Sequence, residues 1–207
     1  MGKASKPSMH WLFSKVKEMP LPPPVPRKLG HNRVIDVRGY ERADGLWDVE
    51  GHLTDTKTET WFNRAGSFDL PAGMPAHDMW IRLTIDLSMC IHECVATTDS
   101  GPYALCGDIT PKFAKLKGMR IDRGWARGIK DIVGGANGCT HQWELLGRLA
   151  TAAFQVTNLA RQATRKHKPG EMPRTFNTCH MYTPDSEETL RRWPELYTGP
   201  KKVPVNI

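Results

Sequence analysis

No stretch of this chain carries the ~18 consecutive apolar residues that a membrane-crossing helix needs, so a helical membrane protein is not expected. The signatures of a phosphate-binding glycine loop, of a dinucleotide fold and of a nucleophile elbow are all missing. Those gaps argue against nucleotide-driven, hydride-transfer and serine-hydrolase chemistry. Cysteine is scarce: Cys90, Cys94, Cys106, Cys139 and Cys179 make an odd count at irregular spacing, with no C-x2-C pair. That pattern suits a reducing cytoplasm better than a disulfide framework, and cytoplasmic localisation is the expectation. The opening MGKASKP lacks the apolar stretch of a secretory leader, and Lys6 stands where a myristoylation pattern needs Ser or Thr.

What the chain does have is positive charge, +7 in net terms. Much of the excess lies near the ends, at Lys3, Lys6, Lys15, Lys17, Arg27 and Lys28, then at Arg161, Arg165, Lys166, Lys168, Lys201 and Lys202. No helix-turn-helix, zinc-finger or RNA-binding aromatic pattern accompanies it. A solvated basic surface is the expectation, and nucleic acid is disfavoured as a partner. A basic module for an anionic partner stays open as a third functional reading, and it would show steep salt dependence.

Residues 1–30 hold "MPLPPPVPRKLG", in which proline removes donors and fixes an extended chain, so they read as a proline-rich arm. Residues 31–198 read as one α+β domain and residues 199–207 as a tail. Within 31–57, "RVIDVRGYER" and "LWDVEGHLTDTK" alternate around "ADG", the pattern of a β-hairpin, with Val34, Asp36 and Arg38 on one face and Ile35 and Val37 on the other. Residues 58–77 read as loop. From 78 to 98, "MWIRLTIDL" places Ile81, Leu83, Ile85 and Leu87 on one face and Trp80, Arg82, Thr84 and Asp86 on the other, and "CIHECVATT" returns as a second hairpin.

The remainder reads as helical. Thr110-Pro111 starts a short helix, Trp125, Ile129, Ile132 and Val133 recur at helical spacing, and a long helix spans about 140–165. Its expected buried stripe is Trp143, Leu146, Leu149, Ala150, Ala153, Phe154 and Val156. A last short helix is capped near Asp185 or Ser186. Strands first and helices second predict an antiparallel sheet of two hairpins with the C-terminal helices packed on one face.

Four ordered stretches, "WDVEGHLTDTK", "PAHDMWIRLTID", "LKGMRIDRGW" and "GGANGCTHQWELLGRLATAAFQ", together resemble the bacterial domain-of-unknown-function family numbered 2889, over roughly residues 31–198. The resemblance implies occurrence in proteobacteria that catabolise aromatic or acyl compounds. A weaker resemblance, of strand hairpins followed by helices with cysteines at a late helix start, is to iron–sulfur scaffold proteins. It implies a metal-binding or scaffold role for Cys106, Cys139 and His141, although the Cys and His here are two apart rather than adjacent.

Chemistry concentrates in two stretches. Cys139 and His141 sit where the long helix begins, behind glycines that let a ligand approach the backbone. Free N–H groups and the positive dipole end there favour a thiolate and a neutral imidazole. The bland alternative is that Cys139 or Thr140 caps the helix and His141 fills space. The second stretch is His77-Asp78 with the face Trp80, Arg82, Thr84 and Asp86, which offers an aromatic, a guanidinium, a hydroxyl and a carboxylate to a small molecule. Its bland alternative is a solvated sheet face. His52 and His92 join that face if the register allows, and the spacing of Asp48, Glu50 and Asp55 does not single out an acid and a base.

The expectation that follows is a cofactor-independent carbon–carbon lyase acting by acid–base chemistry on a small phenolic aromatic. Decarboxylation or retro-aldol loss of a one-carbon unit such as formaldehyde fits. His77 or Asp86 is the expected base, Arg82 holds anionic charge and His141 moves a proton, while Trp80, Thr84, Tyr103 and Cys139 contact the substrate. No metal is expected, because no local ligand pair exists. A homodimer is the expected assembly.

Overall fold

The computed structural model describes residues 21–62, 69–164 and 172–199. Most of the expected arm, residues 1–20, and the tail from 200 onward lie outside the described residues. Residues 21–30 are exposed and form neither helix nor strand. The architecture is α+β, with four strands followed by helices. Strands β1 (His31–Glu41), β2 (Trp47–Lys57), β3 (Pro75–Ile85) and β4 (Ile91–Ser100) form one antiparallel sheet in the order β1-β2-β3-β4. The first hairpin closes at Gly45, whose φ of +81° lies in the left-handed region that glycine enters without a Cβ clash.

Alternation sets the faces. In β2, Trp47, Val49, Gly51, Leu53 and Asp55 are buried, and every residue between them is half-buried. In β3, Met79, Ile81, Leu83 and Ile85 are buried on the same side. Helix α2 (Thr140–Val156) lies across that side, burying Leu145, Leu146, Leu149, Ala150 and Ala153. Each fully buried leucine contributes roughly 1.5–3 kcal/mol of transfer free energy. The helix rides close to the sheet because the strands are glycine where it crosses. A Cβ on Gly51 would stand 3.1 Å from Leu149 Cδ2, and one on Gly39 would stand 2.7 Å from the Val156 side chain.

A short 3₁₀ segment (Thr110–Leu116) buries Phe113 and Leu116, and α1 (Trp125–Val133) buries Trp125, Ile129 and Val133. No helix among the described residues is long and apolar enough to cross a membrane.

Three features differ from the sequence reading. Strand β3 begins at Pro75 rather than 78, since proline is tolerated as the first residue of a strand. The long helix stops at Val156, and Thr157 turns its hydroxyl back onto the Ala153 carbonyl at 2.6 Å, a contact that competes with helix continuation. Trp143 is 40% exposed rather than part of the buried stripe.

The described residues divide between Thr157 and Asn158 into two compact units. The second contains α3 (Asn158–Thr164) and α4 (Glu187–Arg192), the latter capped by Ser186, whose Oγ accepts from the Thr189 N–H at 3.1 Å. There Phe176 and Tyr182 pack against Trp193 at centroid distances of 6.3 and 5.5 Å.

Candidate functional site

Asp55 is the charged residue of the β2 stripe that faces the helix, and it is almost wholly buried, at 1% exposure. Register supplies its partners: Arg33 of β1 and His77 of β3 stand directly opposite it on its two neighbours. The β2–β3 pairing shifts between Asp55 and Thr56, so an extra residue, Ala76, precedes His77 in the ladder. The bulge lies beyond His77, whose pairing continues the regular ladder from Leu53 and Met79, so alternation alone sets its face. Here His77 shares the covered face with Asp55 and Met79 rather than the open face with Trp80 and Arg82.

The guanidinium of Arg33 clamps the carboxylate from two sides, with Nε 2.7 Å from Oδ1 and Nη2 2.6 Å from Oδ2. Its third nitrogen, Nη1, donates to Glu144 of α2 at 2.7 Å. His77 Nδ1 is 2.9 Å from Asp55 Oδ2, and His31 Nε2 is 3.3 Å from Oδ1. His141, in the first turn of α2, brings Nε2 to 3.8 Å from Oδ2, and its ring lies over that of His77 at a centroid distance of 3.7 Å.

Burial pushes the Asp55 carboxyl up, but hydrogen bonds and charge from Arg33 and His77 outweigh it and hold the group at about 2. Asp55 is therefore an ionised acceptor, so His77 Nδ1 must carry the proton, and Nε2 is left with its lone pair. Burial holds His77 below its ordinary value despite the pull of Asp55. Burial, then the neighbouring His77 and Arg33, do the same for His141. Both rings are neutral at neutral pH, the state in which imidazole acts as base or ligand.

Beside the cluster, the turn from α1 into α2 borders a half-open apolar groove of about 250 Å³. Lys130, Val133, Cys139, Thr140 and Trp143 line it. This accounts for the exposure of Trp143. Cys139 joins the two features, because it lines the groove while its Sγ lies 3.7 Å from His141 Nδ1 and 3.8 Å from Met79 Sδ.

The structure thus brings together His77, His141 and Cys139 and adds Asp55, Arg33 and His31. The other candidate residues lie elsewhere. Arg82 is on the open sheet face, 3.9 Å from both Glu50 and Glu93. Trp80 stacks on His52 at 3.8 Å there, and Thr84 donates to Asp48 at 2.6 Å. Asp86 is in the β3–β4 turn, 2.9 Å from His92 Nε2, and Tyr103 is exposed before the 3₁₀ segment Ala104–Gly107.

Among the described residues, two groups of metal-ligating side chains converge within 4.8 Å: Asp55, His77 and His141, and separately Asp86, Cys90 and His92. Cys106 is in neither. One signal in the sequence pointed to the first group: Asp55 extends the Val49, Gly51, Leu53 alternation, and a carboxylate on an apolar stripe must find a partner when buried.

A model of the family described as "Protein of unknown function (DUF2889)" matches residues 31–155. No curated protein matches the chain, and no solved structure does.

Proposed function

We infer that this chain, which belongs to the DUF2889 family of unknown function, is an acid–base enzyme with His77 as its base. The reaction proposed is that of a cofactor-independent carbon–carbon lyase on a small phenolic aromatic. The observation that carries this reading is the buried, Arg33-clamped Asp55 at 2.9 Å from His77 Nδ1. That carboxylate fixes the tautomer of His77, orients its ring and stabilises the imidazolium that forms when Nε2 takes a proton.

In a retro-aldol step, His77 Nε2 accepts the proton of a substrate hydroxymethyl group. The carbon–carbon bond breaks, formaldehyde leaves, and the electron pair stays on the remaining carbon. That carbon takes the proton back from the imidazolium at Nε2, with His141 tilted over the ring at 3.7 Å, so no proton is consumed overall. The groove between α1 and α2 suits one aromatic ring, with Trp143 and Val133 as walls and Lys130 as the cation for a phenolate. Arg33 is committed to Asp55 and Glu144 and does not serve that role.

A second reading, a divalent ion held by Asp55, His77 and His141, draws on their convergence within 4.8 Å. Charge disfavours it: Arg33 already neutralises Asp55, so an incoming ion meets two neutral rings and a guanidinium.

The test is release of formaldehyde or carbon dioxide from a panel of hydroxymethyl- and carboxyl-bearing phenols, for the native chain and for His77→Asn. Turnover by the native chain that falls at least ~100-fold in the folded variant is the expected result. Equal turnover by the two, or consumption of no compound in the panel, sinks the reading.

A further inference from the structure

The turn between β3 and β4 holds a second convergence of ligand-type side chains, and its charge differs from that of the Asp55 cluster. Asp86, Cys90 and His92 each offer one ligand atom, and the three atoms lie within 4.8 Å of one another. Their spacing, D-x3-C-x-H, places Asp86 and Cys90 in the turn and His92 at the second residue of β4.

The turn is tied down by its backbone. The Asp86 N–H donates to the Cys90 carbonyl at 3.1 Å, the Met89 N–H to the Asp86 carbonyl at 2.9 Å, and the Ile121 N–H to the Met89 carbonyl at 2.9 Å. Met89 holds a φ of +68° with its side chain fully buried, so core packing maintains a backbone conformation that a methionine rarely adopts.

The carboxylate is oriented as well. Asp86 Oδ1 accepts the Cys90 N–H at 3.1 Å, and Oδ2 faces His92 Nε2 at 2.9 Å. Among the described residues, the Cys90 thiol makes only long contacts, 4.0 Å to the Ile91 carbonyl and 3.8 Å to that of Gly118. Among the described residues, the ion pair that Asp86 makes is with His92, and no lysine or arginine clamps it as Arg33 clamps Asp55.

We propose that Asp86, Cys90 and His92 form a binding site for a divalent ion of the zinc type, with water in the fourth position. A carboxylate, a thiolate and a neutral imidazole bring two negative charges, which a divalent ion balances. The sulfur ligand selects zinc or its analogues over magnesium and calcium. Binding replaces the Asp86–His92 contact with two metal bonds and releases the Cys90 proton to solvent, so affinity rises with pH. The site is separate from the Asp55 cluster, and its occupancy does not depend on the lyase reading.

The experiment uses the full chain, purified without a histidine tag and stripped with a chelator. It is titrated with zinc against a chromophoric competitor, and with cobalt while the thiolate-to-metal charge-transfer band is followed. The expected result is one equivalent bound with the band present. The band disappears in Cys90→Ser, affinity falls at least ~10-fold in His92→Gln, and both persist in His77→Gln. A missing band in the native chain, a band that survives Cys90→Ser, or binding lost in His77→Gln but kept in His92→Gln overturns the proposal. His92 is exposed, so its substitution tests the site without disturbing the core.

Discussion

At Asp55, burial favours the neutral acid and Arg33 favours the anion, and the anion prevails. Removing that charge exposes what it does. Asp55→Asn retains the volume but leaves Arg33 without its bidentate partner and lets His77 adopt either tautomer. The loss expected is about 2–3 kcal/mol of stability, read by denaturant unfolding. It falls below the ~3–5 kcal/mol of a fully buried broken pair because Arg33 keeps 32% of its side chain in water. Turnover falls at least ~100-fold in the same variant, since a base whose lone pair points the wrong way takes no proton. His77 as base also predicts the pH profile. Its value is lowered from 6.5 by burial, so kcat/KM declines on an acid limb centred below pH 6.5. A limb centred above that value would assign the base to another group.

Helix α2 carries His141, Glu144 and the leucines that cover the sheet, so its entry point decides whether the cluster assembles. Gly138 makes that entry possible: a Cβ there would stand 1.7 Å from the Val133 carbonyl oxygen, a backbone atom that cannot swing aside. Gly138→Ala therefore displaces the α1–α2 turn, and a loss on the order of 3 kcal/mol with collapse of activity is expected from thermal unfolding and turnover assays. Gly147, inside the same helix and exposed, is the opposite case. Nothing lies within 4 Å of its missing Cβ, so Gly147→Ala relieves the entropy cost of a helical glycine. A gain of roughly 0.5–1 kcal/mol with unchanged turnover follows. The apolar periodicity made α1 and the core of α2 legible. It did not mark Trp143 as a groove wall or Thr157 as the stop, because a stripe records which side is apolar and not which part of that side is covered.

For the whole molecule, acid should act in two stages. His77 and His141 have folded values below 6.5, so the unfolded chain binds protons there that the folded chain refuses. Stability present above pH 6.5 is thus lost as pH falls below it, down to the folded values. Asp55 and Asp86 have folded values near 2 against 3.8, so their contribution is complete above 3.8 and is lost as pH falls from there through about 2. Unfolding midpoints measured from pH 8 to pH 2 should show both declines, and Asp55→Asn should shrink the second. A midpoint that does not change between pH 7 and pH 4.5 would contradict the neutral, half-buried state of the two histidines.

Alternation in "WDVEGHLTDTK" and "MWIRLTIDL", a glycine turn at Gly45 and the helical stripe through Leu149 are local patterns, and from them the sequence determined an α+β chain of two hairpins followed by helices. Four of its stretches also determined the family. Local patterning stops at the face of a strand: period two tells which residues share a side, but not which residue stands across from them. The pairing of Asp55 with Arg33 and His77 depends on register, and in β3 it falls in residues that read as loop. The approach of His141 depends on glycines that let a helix starting about eighty residues after β2 come close to the sheet. Only the tertiary structure could place one buried carboxylate, one guanidinium and two neutral imidazoles together, because each comes from a different element and non-local packing alone brings them within hydrogen-bonding and stacking distance.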